Sequence, residues 1–477
     1  MKNIDQILCY SLIWIAALAA AISVLFINCG NMHTGDMSSP NSSMDAGAGI
    51  EESDWVKTEW EKPPPAPGCS YVFFDSGDYS YSVIKHQIIV NGNKAADPLV
   101  APEKIIPGLY RGDSGKSTFL GWYNGDDKWD FANNAVTRDV FLSARWDDPP
   151  RVNMAAMPGN NSIERTIAYV KAKPDPAGYT LYLGANAVIK PQNIKVDKFR
   201  LKIQGIFQER TISFSGGTNG ALFVLGAWKS GDPANLKSGM EFTLGENITL
   251  KGIKDNYSAL VVVGDLVTFT MLPDSKITGN EIDDIQKAAG VELAAGQRGL
   301  FLMKGGEITG NKNHYSGVIA ETPSAVLVPI TSSFSMEGGS ITGNIGGAGD
   351  VLFYASYSSP EFDEKKALLS GYSTIGRIAL ALPDNSLHHY QKLRINIPPI
   401  WNPKEIIELG LSGNMSMADV KEWFLEKGPQ LLELEPSPNP SAVSMFKLGW
   451  FYSNDASYDG AIPSEYSLSD EGKLVLK

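Results

Sequence analysis

Cysteine is nearly missing from this chain. Three occur in 477 residues, Cys9, Cys29 and Cys69. The first lies inside an apolar run and the second at its end. Past that run Cys69 stands alone, which excludes an intramolecular disulfide in the folded part and any metal site built on cysteine. A basic surplus is also missing: 41 Lys and Arg face 53 Asp and Glu, for a net charge of −12. With no excess positive charge to offset phosphate, nucleic acid and anionic lipid are argued against as partners. No P-loop, Rossmann fingerprint, nucleophile elbow or zinc signature is present, so no cofactor and no metal are expected. Glycine, by contrast, is abundant at 47 residues. With frequent Asn, Asp and Ser, it points to many tight turns rather than long helices.

The one long hydrophobic run is ILCYSLIWIAALAAAISVLFINC, residues 7–29, behind the single basic Lys2 and ahead of a polar, Gly/Ser/Asn-rich stretch. That is the shape of an export segment. Its close, Leu25-Phe26-Ile27-Asn28-Cys29-Gly30, resembles a bacterial lipobox of the relaxed spirochaete type. The resemblance implies a signal peptide over 1–29 and lipid attachment at Cys29. It also implies a protein held in the cell envelope outside the cytoplasm, at the outer membrane or cell surface. An uncleaved N-terminal anchor is the alternative, because the run is nearly long enough to span a bilayer. Residues 30–68 lack periodic apolar residues and end in KPPPAPG, a stiff polyproline-type spacer, and are expected to be a tether.

Over 69–147 the expected strands at Tyr71–Phe74, Gln87–Val90, Thr118–Trp122 and Val140–Trp146 surround turn residues. Trp122, Phe131 and Trp146 supply the large apolar side chains that so small a domain needs for a core. Phe119, Gly121-Trp122-Tyr123, Trp129-Asp130-Phe131, Val136-Thr137 and Leu142-Ser143-Ala144-Arg145-Trp146 resemble the Listeria–Bacteroides repeat, a β-grasp-like module of secreted surface proteins. That family implies spacer or adhesive use and no chemistry. The first half of its pattern is degraded: Ser76-Gly77 stands for a double glycine, and Asp113–Lys116 replaces a Gly-Tyr.

From residue 152 a helix is expected first, with Ile163, Ile167 and Val170 on one face and a capping box of Asn161 with Glu164. Then a phrase recurs. FTLGENITLKG starts at Phe242, FTMLPDSKITGN at Phe269, FLMKGGEITGN at Phe301 and FSMEGGSITGN at Phe334, at intervals of 27, 32 and 33 residues. One such turn cannot bury its apolar face alone, but stacked turns share a continuous core. Ile248, Ile277, Ile308 and Ile341 are expected to stack as an internal ladder. Asn280, Asn311 and Asn344 are expected to stack at a corner. The phrases resemble pectate-lyase-like repeats of spirochaete surface proteins. That resemblance implies a right-handed, single-stranded parallel β-helix over 152–395, with an N-terminal helical cap. Residues 396–477 change style and are expected to form a C-terminal cap or small domain. The stretch MSMADVKEWFLEKG within it reads as a helix, with Ser416 as N-cap and Val420, Trp423 and Phe424 on one face.

The expected fold class is therefore mainly β, a β-grasp-like repeat domain followed by the parallel β-helix. No catalytic phrase is visible. Glu281, Asp283 and Asp284 form the best candidate ligand or calcium loop, with Asp255, Asp265, Arg298 and His314 the nearest further charges. Tyr315, Tyr354 and Tyr357 are the candidate exposed aromatics. The expected role is structural, adhesive or ligand-binding, with the membrane, glycans or surface proteins as partners. The alternative is a polysaccharide lyase or hydrolase on the same fold.

Overall fold

The computed structural model describes residues 65–75, 83–98, 104–152, 162–226, 239–294, 298–315, 323–329, 331–346, 349–354, 364–370, 372–381, 392–396, 406–413, 432–435, 443–453, 459–461, 466–470 and 472–476. The apolar run, Cys29, most of the tether, Asn161, Tyr357 and the helix expected around 415–428 lie outside the described residues. The protein is mainly β, with one described helix, Ser162–Ala172. It divides into two compact units. One comprises Met1–Lys104 and Lys116–Pro149, and the other Ile105–Gly115 and Pro150–Lys477.

The first unit is a five-stranded sheet in the order Val83–Val90, Cys69–Asp75, Val140–Asp147, Thr118–Asn124, Asp127–Lys128. Cys69–Asp75 runs parallel to Val140–Asp147, and the other pairs are antiparallel. Alternation sends Val72, Phe74, Val140, Leu142 and Ala144 to one face, where they bury Trp122, Trp129 and Val136. Phe131 and Trp146 pack on the rim of this core. Phe74 meets the Trp122 ring edge-on at 5.0 Å. The register slips between Phe119 and Gly121. Gly121 takes φ +135°, where a Cβ would lie 2.6 Å from the Lys128 side chain, so this bulge needs glycine.

The second unit is built on three parallel sheets. After Ser162–Ala172 the chain visits sheet I (first Tyr179–Leu183), sheet II (Ala187–Ile189) and sheet III (Gln192–Ile194), then returns to sheet I at Arg200–Gly205. Each round lays its three strands beside those of the round before. No sheet closes on itself. Inward positions line up in ladders. In sheet I, Phe242, Phe269, Phe301 and Phe334 are partners in register, with ring centroids 6.3, 5.4 and 5.5 Å apart. Two residues on, Leu244, Met271, Met303 and Met336 do the same. In sheet III, Phe223, Val261, Val291, Val326, Val351 and Ile378 align. All of these are buried, and each large side chain contributes roughly 1.5–3 kcal/mol by leaving water.

Sheet II shifts one expectation. Its inward ladder is Ile212, Leu250, Ile277, Ile308, Ile341 and Ile375. Ile248 is buried but lies two residues ahead of that ladder, opposite Arg210. The inward place lies seven or eight residues after the phrase-opening Phe, and Ile248 stands only six after Phe242. Eight residues separate Phe242 from Leu250 and Phe269 from Ile277, whereas seven separate Phe301 from Ile308 and Phe334 from Ile341.

The ends are covered. Ile163, Ile167 and Val170 on one face of Ser162–Ala172 enter the core. Glu164 accepts the Lys190 N–H at 2.9 Å. The free edge of sheet I at Tyr179–Leu183 is paired antiparallel by Gly108–Arg111. Thus residues 105–115, inside the stretch expected as one small domain, belong to the second unit, and they include most of the Asp113–Lys116 stretch that departs from the repeat motif. Tyr110 packs edge-on to Tyr182, Arg111 pairs with Asp175, and Asp113 with Lys202. Burial pushes the Tyr182 hydroxyl up to about 12. At the other end the parallel pairing continues past residue 395. Lys392–Asn396 and Leu432–Glu435 extend sheet I, and Ile407–Gly413 and Phe446–Ser453 extend sheet III. Antiparallel Asp459–Ala461 then covers that edge.

Candidate functional site

Two places in the second unit gather polar groups. The first is the corner from sheet II to sheet III. Here Gly279, Gly310 and Gly343 take φ of +70°, +66° and +69°, and the following Asn280, Asn311 and Asn344 turn inward, almost fully buried. A buried amide is tolerated only when it is hydrogen-bonded, and these are. Asn280 N–H donates to Asn311 Oδ1 at 3.2 Å, and Asn311 Nδ2 to Asn344 Oδ1 at 3.1 Å. Asn311 and Asn344 also donate to the Ile277 and Ile308 carbonyls one round back. The line is longer than the repeat phrase indicates. Asn256 Nδ2 joins it through Asn280 Oδ1 at 2.9 Å. At the far end Asn344 Nδ2 donates to Asp350 Oδ1 at 2.9 Å, and the Arg377 N–H donates to Asp350 Oδ2 at 3.0 Å. Burial pushes the Asp350 carboxyl up, and the bonds from Asn344 and Arg377 oppose it. Asp350 fills the place an asparagine would take in the next round, where Ile375-Gly376-Arg377 offers none. The missing asparagine after Gly376 was the available sequence signal.

Beyond that corner lies the loop with Glu281, Asp283 and Asp284. Glu281 bonds His314 Nε2 at 3.0 Å and Lys312 Nζ at 3.3 Å. The bond from His314 holds its carboxyl below the usual range, and Lys312 adds to this. Asp284 pairs with Lys287 at 2.7 Å, and Asp283 faces solvent. Asp265 is buried and accepts from the Arg298 backbone at 2.9 Å and from its Nε at 3.4 Å. Asp255 is an exposed turn residue at φ +55°. Glu281 and His314 therefore come together, while Arg298 serves a different carboxylate. Among the described residues no three His, Cys, Asp or Glu side chains gather closely enough to hold a metal ion. Tyr315 is half-buried, with its N–H on Asn313 Oδ1, and Tyr354 packs against Ala288, Leu327, Leu352 and Ala379.

The second place is an open groove of about 850 Å³ along the turns from sheet I to sheet II. Five residues after each phrase-opening Phe, the backbone turns left-handed: Asn247, Asp274, Gly306 and Gly339 at φ +56°, +58°, +84° and +92°. Gly306 and Gly339 sit so close to the round before that a Cβ on either would lie 2.5 Å from a carbonyl oxygen. Gly305 and Gly338 complete a floor without side chains. Along one side runs a register row, Thr249, Lys276, Glu307, Ser340 and Thr374, in which the middle three reach the surface and the two end threonines are buried. Lys276 and Glu307 pair at 3.1 Å. Glu209, Asp274, Lys304 and Glu337 stand around it, and Tyr372 borders it at 65% exposure. The repeat phrases carried this groove in their Pro-Asp and Gly-Gly pairs, but a turn was all those residues implied.

Among the described residues no helix is long and apolar enough to cross a membrane. No family model, no curated protein and no solved structure matches the chain.

Proposed function

We propose that this chain is a lipid-anchored cell-envelope protein whose second unit is a right-handed parallel β-helix, used for structural, adhesive or ligand-binding contact. The observation that carries the reading is the regular rotation of the chain through three parallel sheets, with its outward polar side chains drawn into a row along one groove. Repetition of this kind makes an extended surface rather than a single reacting centre. The lipobox-like Leu25–Gly30 supplies the address: Cys29 carries the lipid, and 30–68 hold the folded part off the bilayer, at the outer membrane or cell surface. Two acyl chains anchor where one does not.

The alternative, a polysaccharide lyase or hydrolase, needs an acid poised to give up a proton or two carboxylates set across a bond. Glu281 is held ionised by His314 and Lys312, and Asp284 and Asp265 are each paired with a cation, which favours the non-catalytic reading of these carboxylates. Mass spectrometry of the mature N-terminal peptide tests the anchor. The expected result is an acylated Cys29 as first residue, and protease treatment of intact cells should shorten the protein. An unmodified chain beginning at Met1 would overturn the anchor.

A further inference from the structure

We infer that the groove over the sheet I to sheet II turns binds a neutral or amine-bearing glycan strand laid along the stack of strands. The inference rests on the reading of the second unit as a ligand-contact surface and specifies its ligand. The geometry comes first. Thr249, Lys276, Glu307, Ser340 and Thr374 are neighbours in register on successive strands of one sheet. Neighbouring strands are about 4.8 Å apart, so the row runs for roughly 20 Å. A ligand that meets this row must be elongated and must repeat on that scale. One pyranose residue of a glycan chain advances by about one strand spacing. An extended peptide advances 3.3–3.4 Å per residue, so its successive residues do not match successive rounds. A peptide would also need pockets for its side chains, and over the rounds that open at Phe301 and Phe334 the floor is glycine backbone.

The chemistry agrees. Ser340 both donates and accepts, as sugar hydroxyls do, while Thr249 is engaged by Glu209 and Thr374 is buried at the end of the row. Lys276 and Glu307 neutralise each other at 3.1 Å and still present donors and acceptors to the groove. Tyr372, at 65% exposure, offers a flat ring with a polar tip, suited to the apolar face of a sugar. Charge then narrows the class. Glu209, Asp274, Glu307 and Glu337 outnumber Lys276 and Lys304 around the groove, which repels uronate and phosphate polymers and favours neutral or ammonium-bearing ones.

The test is calorimetric titration of the purified full chain with cellohexaose, with a glucosamine hexamer, and with an oligogalacturonate of the same length. The first or second should bind at least tenfold more tightly than the third. Tyr372→Ala should weaken binding about three- to tenfold, from the loss of one aromatic contact. Ser340→Trp, which fills the groove from an outward position, should abolish it. Thermal melts of both variants check that they fold. If Ser340→Trp unfolds, Tyr372→Ala decides, because it lies on an exposed turn. Equal affinity for the oligogalacturonate, no binding of either favoured hexamer, or a folded Ser340→Trp that binds like the parent would each overturn the inference. Those failures leave the anchored-protein reading standing. An unmodified Met1 with intact hexamer binding would do the reverse.

Discussion

Replacing Glu292 by glutamine should stabilise the second unit in alkaline buffer and leave it unchanged in acid. Glu292 lies on sheet III between Val262 and Leu327 in register, and it points away from the core formed by Val291 and Leu293. Part of its side chain meets solvent, yet its Oε2 is enclosed and accepts no hydrogen bond. Burial pushes the carboxyl up from 4.5 to about 7, with Lys287 pulling it down and Asp284 adding slightly to the rise. A carboxyl whose folded value is raised contributes full stability below its unfolded value, and loses it as pH rises through the folded one. The window is therefore about pH 4.5 to 7. The full gap corresponds to about 3 kcal/mol, an upper bound because part of the side chain is hydrated. Glutamine keeps the shape without the ionisation. Native-state hydrogen exchange at Val261–Val263 and Val291–Leu293 reads the local opening free energy. Comparing parent and Glu292→Gln at one pH cancels the intrinsic exchange rate. The difference should be near zero at about pH 3.5, below the unfolded value, and rise above pH 8 to at most about 3 kcal/mol in favour of the variant. A difference that does not change with pH would refute the enclosed-carboxyl account.

Two further substitutions probe the asparagine line. Asn311→Ala removes the acceptor of the Asn280 N–H and the donor to the Ile277 carbonyl. At about 1–3 kcal/mol per stranded buried group, it should cost roughly 3 kcal/mol or more in denaturant titration; a loss under about 1 kcal/mol would mean that water or a shifted turn replaces it. Gly376→Ala places a Cβ 2.6 Å from Asp350 Oδ2 and should cost about 2 kcal/mol. In an Asp350→Ala background that cost should fall by at least half, and an unchanged cost would place the clash elsewhere.

Much of the second unit was readable because its inward residues repeat in type as well as in spacing. Phe242, Phe269, Phe301 and Phe334 announce their strands, and Asn280, Asn311 and Asn344 announce a corner where a buried polar side chain must be hydrogen-bonded. Ile248 was misplaced because the shared Ile-Thr pair drew the alignment, while the strand pairing sets Leu250, not Ile248, beside Ile277. Asp350 and Asn256 were missed because each joins the line from outside the phrase, and their role exists only once the rounds are stacked. Residues 105–115 were missed for a related reason: pairing with Tyr179–Leu183 spans about seventy residues of sequence, and no local pattern encodes it. The carboxylates at 281–284 were conspicuous in the sequence, yet two of the three are engaged by Lys287, Lys312 and His314.

The axial ladders also fix how the second unit carries a load. Backbone hydrogen bonds between successive rounds run along the stack, so a pull applied at its two ends loads them in series, not all at once. Such an object yields by peeling one round at a time. Rounds of 27, 32 and 33 residues at up to about 3.5 Å each would pay out on the order of 100 Å of slack per event. Under such a load the stack would lengthen in discrete steps, and its force trace would be a staircase with steps of that length.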